Sequence, residues 1–143
     1  MKKILVAVDG SEHGWKAIEI VRTLGECKAL DITVLHVVAD HSLYRNYGFD
    51  MTHEGYLNEA AKNRAEEVIR QAKDYFSDYA PGNVAFAIKS GEPANVIVNT
   101  AESESFDTIV IGSRGMGTMT RLLVGSVSQK VVAHAPCSVF VVR

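Results

Sequence analysis

Five short apolar runs constrain the fold of this 143-residue chain more than any other feature: Ile4–Val8, Ile32–Val38, Val84–Ile88, Thr108–Ile111 and Ser138–Val142. Most are β-branched and nearly continuous rather than alternating, the pattern of strands covered on both faces in a parallel sheet. Helical patterns fill the intervals. From Ser11, a residue suited to an N-cap, Ala17, Ile18, Val21 and Leu24 recur at three-to-four spacing. A second helix is expected from about Gly55 to Tyr79, with Leu57, Ala61, Ala65, Val68, Ala72 and Phe76 on one face. Pro93 suits the first turn of a third, where its missing N–H costs nothing, and Val96, Ile97 and Ala101 form its core face. A fourth should run from Ser126 to about His134, where Pro136 stops it. The order β-α-β-α-β-α-β-α-β reads as a doubly wound α/β sandwich, with five parallel strands between two helical layers.

Bulk properties narrow the function classes. The length suits one domain spanning residues 1–143 with a sizeable core. A hydrophobic share of 47% and a charged share of 22% are those of a globular protein. A net charge of −2 gives no reason to expect nucleic acid or an anionic membrane as partner. No apolar stretch approaches the roughly 18 residues of a membrane span. The opening run ends at Asp9 and leads into a polar helix, so it reads as a strand and not a signal peptide. Cys27 and Cys137 make neither a CxxC nor a disulfide framework, which fits a reducing cytoplasm.

The chemistry concentrates after strand four. Its apolar run breaks into Gly112-Ser-Arg114-Gly115, with Gly117 close behind, and after nine intervening residues comes Gly125-Ser126. Glycine lets backbone approach a ligand closely. Ser126 and Gln129 have the spacing of a capping box ahead of Val131, Val132 and Ala135, so a helix should open there. Helix N-termini present unpaired N–H groups and a positive dipole end. With the Arg114 guanidinium, this suits a polyphosphate anion. Walker A chemistry is excluded, because Thr118 follows Gly117 where a lysine is required. The dinucleotide fingerprint is excluded too, since Gly115-Met-Gly117 lacks its third glycine and follows a late strand.

Ligands of open α/β sheets bind beyond the carboxyl ends of the strands, where the winding reverses. If strands one and four are neighbours, Asp9 and the glycine loop face each other across one crevice. Backbone at Val37 and Val38 would then be available to a flat base. Asp9 reads equally as a ligand contact and as a partner of the following helix N-terminus. The long Ala39–Thr52 connection, with Tyr44, Tyr47 and Phe49, reads as a flap or a floppy insertion. No histidine pair has metal-ligand spacing; His36 reads as a packed core residue and Trp15 as packing.

With Ile-Leu-Val-Ala-Val-Asp-Gly-Ser at its start and Pro-Cys-Ser-Val-Phe-Val-Val at its end, the chain resembles the universal stress proteins of the small, ATP-binding kind. The family motif Gly-2x-Gly-9x-Gly-[Ser/Thr] is complete as Gly112, Gly115, Gly125 and Ser126. The resemblance implies strand order 3-2-1-4-5 and a site for ATP, or AMP or ADP, with Mg or Mn bridging the phosphates. It assigns Asp9 and Val37 backbone to the adenosine end, and Gly112, Arg114 and Gly115 to the phosphates. Gly125, Ser126, Val127 and Ser128 fall at the helix mouth. It also implies a homodimer paired through the last strand, which agrees with the uninterrupted apolar run Val139–Val142. The expected role is a cytoplasmic, nucleotide-dependent regulatory module acting on an unidentified protein partner. The alternatives are a weak ATPase, autophosphorylation at Ser126 or Ser128, and a pure interaction protein with an empty crevice. Asp9 is the only obvious acid near the phosphates, and His13-Gly14 lacks the second histidine of an adenylyl-transfer signature, so no catalytic residue is assigned.

Overall fold

Parallel strands that lie side by side must be linked by crossovers, and the helical segments between the apolar runs provide them. The computed structural model describes residues 2–39, 52–115 and 124–143. In chain order these form β1 (Lys3–Val8), α1 (Glu12–Cys27), β2 (Asp31–Ala39), α2 (Thr52–Tyr75), β3 (Asn83–Gly91), α3 (Pro93–Ser103), β4 (Thr108–Gly112), α4 (Ser126–His134) and β5 (Ser138–Val142). The strands make one parallel sheet in the order β3-β2-β1-β4-β5, as expected.

Alternation along β1 divides the core in two. Ile4, Val6 and Val8 pack with Ile18 and Val21 of α1 and Val68 and Ala72 of α2. Leu5 and Ala7 face the other way, onto Ile97 and Ala101 of α3 and Val131 of α4. Both faces of the central strands are therefore covered, which is why β1 and β4 are apolar without alternation. The edge strands depart from that expectation. Ile88 of β3 and Phe140 of β5 are exposed, because each edge strand has a neighbour on one side only. Leu24, expected on the periodic apolar face of α1, is also exposed, as is Val132 of α4. Helix α2 begins at Thr52, not near Gly55, and ends at Tyr75; Phe76 just beyond it is still buried. The Leu57 side chain and residues 40–51, which hold the expected flap, lie outside the described residues.

Local chemistry sets the helix starts. Ser11 caps α1 as expected, its Oγ accepting the Gly14 amide at 3.2 Å. Glu92 caps α3 by accepting the amides of Ala94 and Asn95, with Pro93 opening the helix. Trp15 packs, stacking on Tyr75 with ring centres 5.6 Å apart. Among the described residues no helix is long and apolar enough to cross a membrane.

Asp107, just before β4, ties that strand to the chain start: its Oδ2 accepts the amides of Lys2 and Lys3 at 2.8 and 2.9 Å. The Lys3 and Lys2 N–H groups hold its carboxyl below the ordinary value of 3.8. A depressed carboxyl stabilises the fold above its unfolded pKa, and that contribution is lost as pH falls through the lower folded value. Denaturant titrations from pH 6 down to acid should therefore show Asp107→Asn losing less stability than wild type below about pH 4. Parallel pH profiles for the two proteins would contradict this role.

Candidate functional site

The sheet order reverses between β1 and β4: β2 and β3 lie on one side of β1, and β4 and β5 on the other. At the carboxyl ends of these strands is a cleft of about 370 Å³, within the range of small-molecule pockets. Asp9, Val37, Gly112, Arg114, Gly115, Gly125, Ser126, Val127 and Ser128 all line it. Val38, also singled out from the sequence, is not among the lining residues, and Gly117 lies outside the described residues.

The cleft has two characters. One part is apolar, formed by Ala7, Leu35, Val37, Ile97 and Ile111, with Pro93 at the start of α3. Here β2 outruns β1: their pairing ends at Val8 and His36, while β2 continues along β3 to Ala39. Val37 consequently has β3 on one side and no β1 residue opposite it on the other. His36 is buried, with Nδ1 2.8 Å from the Val8 carbonyl oxygen, so it closes the strand ends as a packed residue.

The other part is built from backbone brought unusually close. A Cβ on Gly112 would lie 2.7 Å from the His13 carbonyl carbon and 2.9 Å from the Gly14 nitrogen. The exit of β4 crosses the first turn of α1 at a separation only glycine permits. A Cβ on Gly115 would meet Asp9 Oδ2 at 2.7 Å. Asp9 also accepts the Ser11 amide at 3.0 Å. Both readings of Asp9 therefore have a structural basis: it supports the entry to α1 and it lines the cleft.

The start of α4 differs from expectation. Ser126 is not a cap, and no capping box forms. Gly125 is the N-cap and carries no side chain to cap with, Ser126 is already helical and exposed, and the Gln129 amide donates from Nε2 to the Val124 carbonyl. The first helical rung runs from the Gln129 N–H to the Gly125 carbonyl at 2.9 Å. The N–H groups of Ser126, Val127 and Ser128 precede that rung and lie at the helix end that lines the cleft. An uncapped first turn is suited to an external anion in a way that a serine-capped turn is not. Ser128 is buried, and its Oγ donates to the carbonyls of Gly125 and Ser113. What Ser128 offers the cleft is its main chain.

Ser113 went unread in the sequence beyond its place in the loop. It is fully buried, and each of its polar groups has a partner. Its N–H donates to the Val142 carbonyl at 2.6 Å, and its carbonyl accepts the Gly125 N–H at 2.6 Å. Its Oγ lies 2.8 Å from His13 Nδ1. A serine between glycine and arginine carries little sequence signal; only its place after a buried strand hinted that it would be enclosed. Next to it, the Arg114 carbonyl accepts from Ser11 Oγ at 3.2 Å.

Among the described residues no group of three His, Cys, Asp or Glu is arranged to hold a metal. Both cysteines are free, and burial pushes the Cys137 thiol pKa up.

A model of the universal stress protein family matches residues 1–143. The chain belongs to this family. It is 32% identical over 142 residues to a universal stress protein of Thermus aquaticus, covering 99% of this chain and 98% of that one. Among solved structures it is similar to the universal stress protein UspA from Lactobacillus plantarum, at 28% identity and a TM-score of 0.86, covering 99% and 97% of the two chains. The fold is shared with an Arabidopsis thaliana family member with AMP bound, at 21% identity and a TM-score of 0.70, covering 99% and 91%. It is also shared with a universal stress protein in complex with cAMP, at 18% identity and a TM-score of 0.74, covering 99% and 97%.

The Gly112 contact with backbone generates a stability prediction, since neither the His13 carbonyl nor the Gly14 amide can rotate away. Gly112→Ala should lower unfolding stability by about 1–3 kcal/mol, the usual cost of forcing a methyl into packed structure. Urea denaturation measures it, and an unchanged midpoint would mean the β4–α1 crossing has slack.

Proposed function

We propose that the cleft binds an adenine nucleotide, ATP foremost, and that the protein works as a nucleotide-dependent regulatory module of the universal stress family. The observation that carries this reading is the uncapped first turn of α4 beside Arg114 and Gly115, in the same cleft as an apolar pocket at the end of β2. An anionic tail and a flat ring need those two environments joined. AMP and cAMP in structural neighbours support an adenine ligand. In this reading Asp9 and Val37 backbone hold the adenosine end. Gly112, Arg114 and Gly115 line the phosphates, and Gly125 to Ser128 supply main-chain donors. A divalent ion, Mg or Mn, would arrive with the phosphates, because among the described lining residues Asp9 is the one acid.

Regulation is favoured over turnover. Asp9 is engaged with the Ser11 amide, and the Ser128 hydroxyl is buried against two carbonyls, which removes it as an autophosphorylation site. Gly125 has φ −73, a conformation any residue adopts, but a Cβ there would lie 3.3 Å from the Ser113 carbonyl oxygen and 3.7 Å from Arg114 Cα, so a side chain crowds the turn that the anion would occupy. Gly125→Glu should abolish ATP binding in calorimetry while the protein stays folded, with a melt lowered by the crowding at Ser113. Unchanged affinity would move the nucleotide elsewhere.

A homodimer through β5 belongs to the same reading. β5 is an edge strand, and Phe140 is the exposed large side chain on it, while Val139 and Val141 pack toward the α3–α4 layer. Exposed apolar edges of this kind invite pairing. Phe140→Asp should therefore yield monomers by sedimentation at a concentration where wild type is dimeric; a persistent dimer would remove β5 from the interface.

A further inference from the structure

We infer that His13 is a positioning residue for the anion end of the cleft, acting through Ser113; the inference rests on the nucleotide-binding reading above. His13 is not among the residues lining the cleft, yet its Nδ1 lies 2.8 Å from Ser113 Oγ. Ser113 is the point at which four elements meet. Its N–H joins β5 at Val142, and its carbonyl takes both the Gly125 N–H and the Ser128 hydroxyl from the start of α4. Its side chain is held from α1 by His13.

The consequence is mechanical. Gly125 has no side chain with which to anchor α4, and no side-chain cap fixes the first turn. The direction of the amides of Ser126, Val127 and Ser128 is instead set by the Ser113 carbonyl, which accepts from both ends of that turn. Ser113 in turn is held by its N–H on the Val142 carbonyl and by its side-chain Oγ on the His13 ring. Ser11 Oγ, also at the start of α1, grips the neighbouring Arg114 carbonyl. The first turn of α1 thus clamps two successive loop residues, and the clamp determines where α4 presents its free N–H groups. Donors held in place before the ligand arrives bind without paying to be ordered.

The test compares Ser113→Ala, His13→Phe and His13→Asn. The asparagine amide can occupy the position of Nδ1 and serve as either donor or acceptor. Two readouts are needed: ATP affinity by calorimetry, and hydrogen exchange of the Gly125 amide in nucleotide-free protein. Ser113→Ala and His13→Phe should each weaken ATP by about tenfold, the equivalent of one buried hydrogen bond. Both should also speed Gly125 exchange. His13→Asn should restore both readouts toward wild type, and the double variant should be no weaker than Ser113→Ala alone. Wild-type affinity and exchange in His13→Phe would overturn the inference, as would an asparagine variant as impaired as the phenylalanine one. If His13→Phe does not fold, Ser113→Ala decides. If wild type takes no ATP, the nucleotide reading fails by itself, and Gly125 exchange still decides whether His13 positions α4.

Discussion

The Ser113 carbonyl is the interaction on which the site depends. It accepts the Gly125 amide and the Ser128 hydroxyl, and so fixes the start of a helix that has no cap of its own. Most surface helices satisfy their first amides with a serine, threonine, aspartate or asparagine side chain. Here the anchoring is done from behind, by a neighbouring strand's exit, and the amides at the front are left for something else. A single fixed carbonyl therefore both stabilises α4 and keeps its first turn open.

That carbonyl is itself fixed by the sheet. Ser113 follows β4 directly, and β4 is held between β1 and β5 in continuous parallel register. Its N–H closes onto Val142 at the end of β5. Gly112 lets the strand exit pass within contact of α1 backbone, which brings His13 and Ser11 onto the loop. The cleft is thus a product of rigid elements, with two layers of core beneath it. The same geometry links the site to the sheet edge, because one residue bonds both α4 and β5.

Much of this was legible in the sequence because the signals were redundant. Near-continuous apolar runs specified buried parallel strands, and Ser11 and Pro93 marked helix starts through their own bonding limits. The glycine spacing marked the cleft because close backbone approach leaves few other residue choices. What failed had local and global signals in conflict. Ser126 and Gln129 match a capping box, but the chain before them is pinned by the Ser113 carbonyl, so Gly125 takes the cap position and Gln129 turns to Val124. Val132 fits an apolar periodicity, yet α4 lies at the sheet margin and leaves it exposed. Ser113 and His13 were beyond sequence reading for a different reason. Their importance comes from a pairing 100 positions apart in the chain, which no local pattern encodes.

Amide chemical shifts recorded during an ATP titration test the central claim most directly. The account predicts that the largest changes fall on the main-chain amides of Ser126, Val127 and Ser128 and on Gly115, with the Gly125 amide still protected in the complex. Changes centred on another surface, or an α4 first turn that ATP leaves untouched, would contradict it.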